Sequence, residues 1–461
     1  MRSLVCLALL ALAGCSGPRA AQREVRPGSV SALHFIENDY PAALAKARAR
    51  GLPLFVDLWT TWCHTCLSMR AYVFPDPVLA PLAAQFVWLS VDAEDDKNAL
   101  FVARYPSMGY PTLFVLDADS GEPLRRWMGS YTAPELASRL TEVSQARAPG
   151  NPQAPVLAAL AAATRASQAH QSAEAERNYH RVMADAAPGT LLHSQAVEGL
   201  LTQFQEENRN QECIRLVAQE LPSTPPGTSL ADQASLGVAC ALELPATDPD
   251  RSKTLEVTAA RAEKIALDPN IRVLADDRSD LFRTLVDARQ AQGNAPAAQK
   301  AAVTWRDFLE AQAAQAQSRA ARAVFDAHRF LVYRELHEMA KAVPMLEESE
   351  RDFPADYNPP ARLAMAFLEL TRPAEALVQA ERALKLVYGP RTLRVLLTKA
   401  DAQTALKDGP GAAATLARAE QLAKELPARQ QDPLREEITQ RRALLRKRGL
   451  IPITMTWNPL G

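Results

Sequence analysis

Val56-Asp57-Leu58-Trp59-Thr60-Thr61-Trp62-Cys63-His64-Thr65-Cys66 is the stretch on which the reading of this chain turns. Leu52 to Trp59 is a short apolar run preceded by a helical stretch, Tyr40 to Arg50, and reads as a buried strand. Cys63 therefore follows a strand and opens a helix, Cys63 to Tyr72. There its sulfur meets the unpaired amides and the positive dipole end of the helix, which stabilise thiolate over thiol. Cys63 is then the candidate nucleophile, and Cys66, one turn deeper, is placed to resolve a mixed disulfide by attacking it. Asp57 sits in the otherwise apolar strand, where burial should raise its pKa and suit it to take a proton from Cys66. The plainer alternative is an aspartate satisfied by amides at a strand end.

The same spacing serves zinc, but a structural zinc site needs four ligands and no second C-x-x-C or Cys/His pair lies nearby. Copper(I) on Cys63, His64 and Cys66 is a weaker alternative, since thiolates suit it. No metal and no cofactor is expected. A protonated His64 would further stabilise the Cys63 thiolate and make the disulfide more oxidising; a solvated surface histidine is the competing reading.

Working outward, Phe86 to Val91, Thr112 to Leu116 and Pro123 to Met128 read as further strands. Helical patterns fall between them at Pro77 to Gln85, Lys97 to Tyr105 and Ala133 to Ser144. Residues 30–147 thus form one α/β domain. The Pro- and Gly-rich stretch after it cannot continue a helix and marks a linker at 148–155. From 156 to 448 the chain is rich in Ala, Leu, Glu, Gln and Arg at helical spacing. Ala340, Ala342, Val343 and Leu346 are echoed 34 residues later by Ala374, Ala376, Leu377 and Ala380, and more loosely by Ala413, Thr415, Leu416 and Ala419. A helix-turn-helix period of that length resembles tetratricopeptide repeats, clearest over 318–426. Residues 449–461 form a tail with no functional reading.

The opening stretch resembles the active-site segment of thioredoxin, with Asp57, Trp59, Trp62, Cys63, Cys66, Pro111 and Gly129 on family positions. Phe74-Pro-Asp-Pro-Val78 and Gly109-Tyr110-Pro111-Thr112 are more similar to the C-terminal periplasmic domain of DsbD-type disulfide reductases. The resemblance implies a cis Pro111 against the disulfide, which would obstruct a metal, and a backbone before it that pairs with substrate. Thr65 and Tyr110 complete the expected surround. It also implies exchange with protein thiols and disulfides, and a separate membrane reductase or oxidant partner, because no membrane-embedded module accompanies the domain. His64-Thr65 replaces the usual Gly-Pro, which leaves the direction of electron flow open. The fold class expected is an α/β thioredoxin-like domain followed by an all-α helical-repeat, tetratricopeptide-like solenoid.

Residues 1–14 carry one positive charge and the apolar run Leu4 to Ala13, too short to span a bilayer, and read as a secretory signal. Leu12-Ala13-Gly14-Cys15 resembles the bacterial lipobox, which makes Cys15 the lipidation site and, with Ser16 following, implies carriage to the outer membrane of a Gram-negative envelope. Residues 15–29 are then a flexible tether. The near-zero net charge, without any basic block, gives no support to nucleic-acid binding. With Cys6 and Cys15 set aside, Cys63, Cys66, Cys213 and Cys240 remain. Cys213 and Cys240 lie on neighbouring helical patterns across the Pro222 to Gly227 turn, as a structural disulfide or as free core thiols. Two functions compete: a lipid-anchored thiol-disulfide oxidoreductase whose repeats dock clients, and an envelope scaffold in which the first domain is structural or redox-sensing.

Overall fold

The structure, a computed structural model, describes residues 33–146, 150–426 and 428–450. The signal, Cys15, the tether and the tail from Ile451 onward lie outside the described residues.

Five strands form one sheet: β1 (Phe35–Glu37), β2 (Leu54–Trp59), β3 (Val87–Asp92), β4 (Thr112–Leu116) and β5 (Pro123–Met128), in the order β1-β3-β2-β4-β5. β3 runs parallel to both β1 and β2, whereas β4 is antiparallel to β2 and to β5. Side chains alternate across a strand, so β2 serves two cores. Leu54, Val56 and Leu58 pack with Ala43 and Ala47 of α1 (Tyr40–Arg50). Phe55 packs on the other face with Trp88, Leu113, Met69 and Val73. By the same alternation Asp57 belongs to the second face, under the helix that Cys63 opens.

That helix begins as α2 (His64–Ser68) and continues through a π-helical turn, Met69–Val73. Two short elements differ from the sequence reading. β1 has only three residues, too few to show an alternation, and the segment after Asp76 is a 3₁₀ helix, Pro77–Leu82, because Pro81 withholds an amide. α3 (Ala99–Arg104) connects β3 to β4, and α4 (Ala133–Ala146) lies between β5 and the repeats.

From Ala154 to Lys447 the described chain is helical, each helix packing on the next. Pairs run 154–185, 191–220, 228–267, 275–315, 326–352, 358–384 and 391–423, so four precede the region where the repeat is visible in sequence. Within six of them the turn holds a residue in the left-handed region: His170, Asn208, Gly293, His337, Thr371 and Lys407. Each is followed by an amide reaching back to the carbonyl five residues earlier, as Arg372 does to Phe367 at 2.8 Å. This closes the first helix and reverses the chain.

The repeats wrap onto the first domain. Trp127 Nε1 donates to Gln195 at 2.8 Å, Arg139 pairs with Glu198 at 2.8 Å, and Tyr72 donates to the Ala321 carbonyl at 3.0 Å. Leu67, Ala71 and Tyr72, on the outer face of the dithiol helix, pack into the apolar core of the repeats. At Gly389, left-handed at φ 61°, the repeat chain comes so near the first domain that a Cβ would stand 2.7 Å from the Glu94 carbonyl oxygen.

Candidate functional site

Cys63 caps α2, and its Sγ accepts the Cys66 amide at 3.0 Å. The two cysteines are joined as a disulfide, with Cys63 4% and Cys66 0% exposed. Pro111 follows a cis peptide bond after Tyr110, and its carbonyl accepts the Gly129 amide at 2.9 Å, tying the start of β4 to the end of β5. Tyr110 meets Trp62 edge to face, ring centroids 6.1 Å apart.

Asp57 is 1% exposed, and neither of its carboxylate oxygens has a hydrogen-bond partner among the described residues. The nearest cation is Arg70, 3.8 Å away, which stacks at 4.1 Å on the Trp59 ring and donates to Ser90 at 2.8 Å. Burial pushes the Asp57 carboxyl up to about 7, with Arg70 offsetting part of the rise. Asp57, Glu37, Arg70 and Phe74 are among the residues lining a cavity of about 310 Å³.

His64 is not a solvated residue. Its Nδ1 lies 3.0 and 2.9 Å from the two carboxylate oxygens of Asp276, and Thr65 Oγ1 donates to the same carboxylate at 2.9 Å. Asp276 begins the repeat helix Ala275–Ala291 and is fully buried, while His64 is 26% exposed. Burial opposes the imidazolium, but the Asp276 charge and hydrogen bond outweigh it and push His64 up to about 9. Burial likewise opposes the Asp276 carboxylate, and the His64 charge prevails to hold its pKa below the usual carboxylate range.

His328, from the helix Asp326–Glu335, stacks beside His64 with ring centroids 3.9 Å apart. Trp305 Nε1 donates to Ser279 Oγ at 2.6 Å, which leaves the serine hydrogen for His328 Nδ1 at 2.7 Å. His328 is then a neutral Nε2–H tautomer facing Asp280 at 3.5 Å, consistent with a pKa lowered to about 4 by burial and by the His64 charge. His64, Asp280 and His328 each bring a ligand atom within 4.8 Å of the others. Ser279 holds His328 Nδ1 and Asp276 holds His64 Nδ1, so both imidazoles are already engaged through one nitrogen.

The opposite rim is also formed by repeats. Asn358 Nδ2 donates to the Thr61 carbonyl at 3.2 Å, and Arg391 stacks 3.7 Å above the Trp62 ring, whose Nε1 donates to Glu94 at 2.9 Å. Burial raises the Glu94 pKa to about 7 against the pull of Trp62 and Arg391. Asp276, His328, Asn358 and Arg391 all escaped sequence reasoning. The one available signal was the apolar outer face Leu67, Ala71 and Tyr72 on a helix that a free-standing domain would expose. Far from this site, Cys213 and Cys240 form a second disulfide between the helices Asn210–Glu220 and Thr228–Leu242.

Residues 36–118 match the family described as thioredoxin-like. The chain is 31% identical over 87 residues to the thiol:disulfide interchange protein DsbD of Pseudoalteromonas atlantica, covering 18% of this chain and 15% of that protein. It is 29% identical over 101 residues to the DsbD of Escherichia coli K12, covering 21% and 18%. The chain thus spans under a fifth of the length of these relatives. A tetratricopeptide repeat protein from Parabacteroides merdae covers 62% of this chain and 98% of its own at 12% identity, with a TM-score of 0.41.

Proposed function

We propose that the protein is a thiol-disulfide oxidoreductase of the cell envelope, working through Cys63 and Cys66. The observation that carries this reading is the Cys63 sulfur at a helix start, hydrogen-bonded to the Cys66 amide, above a buried carboxyl that has no hydrogen-bond partner among the described residues.

In the reducing direction the Cys63 thiolate attacks one sulfur of a client disulfide and releases the other as a thiolate. Cys66 then loses its proton to Asp57 and attacks Cys63 Sγ, which expels the second client thiolate and closes the Cys63–Cys66 disulfide. A separate membrane thiol partner returns two electrons; in the oxidising direction the steps reverse. Thiol-disulfide interchange is what the names of the DsbD relatives state, and it comes to this chain as part of the proposal. A Cys63 only 4% exposed supports a client that enters as an extended segment beside Tyr110 and Pro111. The proposed setting is the periplasmic face of the outer membrane, reached by lipid on Cys15. No helix among the described residues is long and apolar enough to cross a membrane.

The test is Cys66→Ala expressed in cells. Removing the resolving thiol should accumulate mixed disulfides on Cys63 that dissolve on reduction. If Cys66→Ala traps no protein and the purified wild type exchanges with no protein disulfide, the reading is lost.

A further inference from the structure

One of the polar contacts between the two domains is made at the dithiol itself. Asp276 belongs to the repeats, is 0% exposed, and holds both His64 Nδ1 and Thr65 Oγ1, the two side chains that separate Cys63 from Cys66. A buried carboxylate with such partners cannot rotate away to water, so the imidazole is fixed as well as charged.

We propose that Asp276 is the positioning residue that keeps His64 an imidazolium beside Cys63, so that the helical repeats set how readily the disulfide accepts electrons. This rests on the oxidoreductase reading. The cation is carried by the residue next to Cys63, and its anion sits on a helix across the interface. Reduction places negative charge on Cys63 Sγ, and the imidazolium on the adjacent residue stabilises it. The reaction is disulfide plus two glutathione thiols giving a Cys63 thiolate, a Cys66 thiol, glutathione disulfide and one released proton.

Among the described residues, the charges acting on His64 come from the repeats. Asp276 and Asp280 of the helix Ala275–Ala291 support its charge, and Arg283 of the same helix opposes it. His328 across the stack is neutral, held so by burial and by the His64 charge. Tyr72, on the dithiol helix, stays protonated because burial and the Asp276 charge push it up to about 12. The pair is therefore the one that decides the protonation of His64 near neutrality.

The experiment uses the full chain with Asp276→Asn and His64→Gln, alone and combined, equilibrated with glutathione at pH 7.5 and pH 5, with the His64 titration followed by NMR. Asp276→Asn should bring the His64 pKa below 7 and lower the equilibrium constant for reduction at pH 7.5 roughly tenfold, about 30 mV. At pH 5 more of the variant's His64 is protonated than at pH 7.5, so the difference should shrink or reverse. In the His64→Gln background Asp276→Asn should change nothing further. An unchanged His64 titration, an unchanged constant at pH 7.5, or equal shifts at both pH values would overturn the proposal. Should Asp276→Asn fail to fold, His64→Gln alone must show the same fall, and its absence overturns the proposal too. Glutathione reads the dithiol directly, so failure of the wild type on protein disulfides would sink the activity reading while leaving these shifts intact.

Discussion

Two disulfides in this molecule are about equally hidden, and they are suited to different work. Cys63–Cys66 is 4% and 0% exposed; Cys213–Cys240 is 0% and 2% exposed. Burial therefore does not tell them apart. Cys213 and Cys240 belong to the apolar core of the repeats, together with Ile214, Val217, Val238 and Ala241. Around Cys63 and Cys66 lie an amide at a helix start, a carboxyl raised to about 7 and an imidazole fixed by a buried carboxylate. What separates a redox couple from a staple is the ionisable surround, and here half of that surround is lent by another domain.

The sharpest way to break the comparison is to remove each disulfide in turn. Cys63→Ala should reduce exchange with any protein disulfide to the level of the blank and leave thermal unfolding nearly unmoved, read by insulin reduction and by calorimetry. Cys213→Ala with Cys240→Ala should do the opposite. Its 27-residue separation closes a loop whose entropy is worth about 3.5 kcal/mol, so denaturant midpoints should fall while exchange at 25 °C is kept. Loss of exchange in the second variant, with the fold intact, would mean the two disulfides communicate and the division is mistaken.

Asp57 draws the same line within one site. Asp57→Asn keeps the shape of the side chain and removes its capacity to take a proton, so resolution of the mixed disulfide by Cys66 should slow about a hundredfold, with attack by Cys63 little changed. A base must be ionised to act, so the wild-type resolution rate should rise with pH through about 7 and then level, whereas the Asn variant should lack that inflection. Rapid-mixing kinetics of mixed-disulfide decay between pH 5 and 9 reads both. An unchanged profile would return Asp57 to a merely structural role.

Much of the first domain was legible because its signals are local. The β4 and β5 bounds, Thr112–Leu116 and Pro123–Met128, follow from alternation and the turn between them. β1 has three residues, too few to carry a period. The late repeats showed through small residues such as Ala342, Ala376 and Ala380, each buried where paired helices meet. The turn does not tell early from late, because its left-handed residue is His170 and Asn208 in the first two pairs, Gly293 in the fourth and His337, Thr371 and Lys407 in the late ones. The rim of the site was illegible for a different reason. His64 and Asp276 are 212 residues apart, and nothing in either neighbourhood names the other. Only the folded path brings Asp276, Asn358 and Arg391 to the dithiol.

The smallest effect tests whether that borrowed half also holds the domains together. The His64 pKa in the folded state, about 9, stands above its unfolded value near 6.5. Stability contributed by the pair is thus complete below about 6.5 and is lost as pH rises through about 9. With His64 26% exposed, solvent reduces the ideal figure, and roughly 1–2 kcal/mol is expected. Other groups move the same way: Asp57 and Glu94, raised to about 7, and Asp277, raised to about 8, all bury a charge as they ionise. The absolute slope of stability against pH therefore identifies no single group. The difference between wild type and His64→Gln does, because both retain those three carboxyls. Denaturant unfolding at pH 6 and pH 10 should give a gap between the two proteins that is present at pH 6 and closed at pH 10. A gap that persists at pH 10 would assign His64 a packing role and leave the charge of the pair without a part in joining the domains.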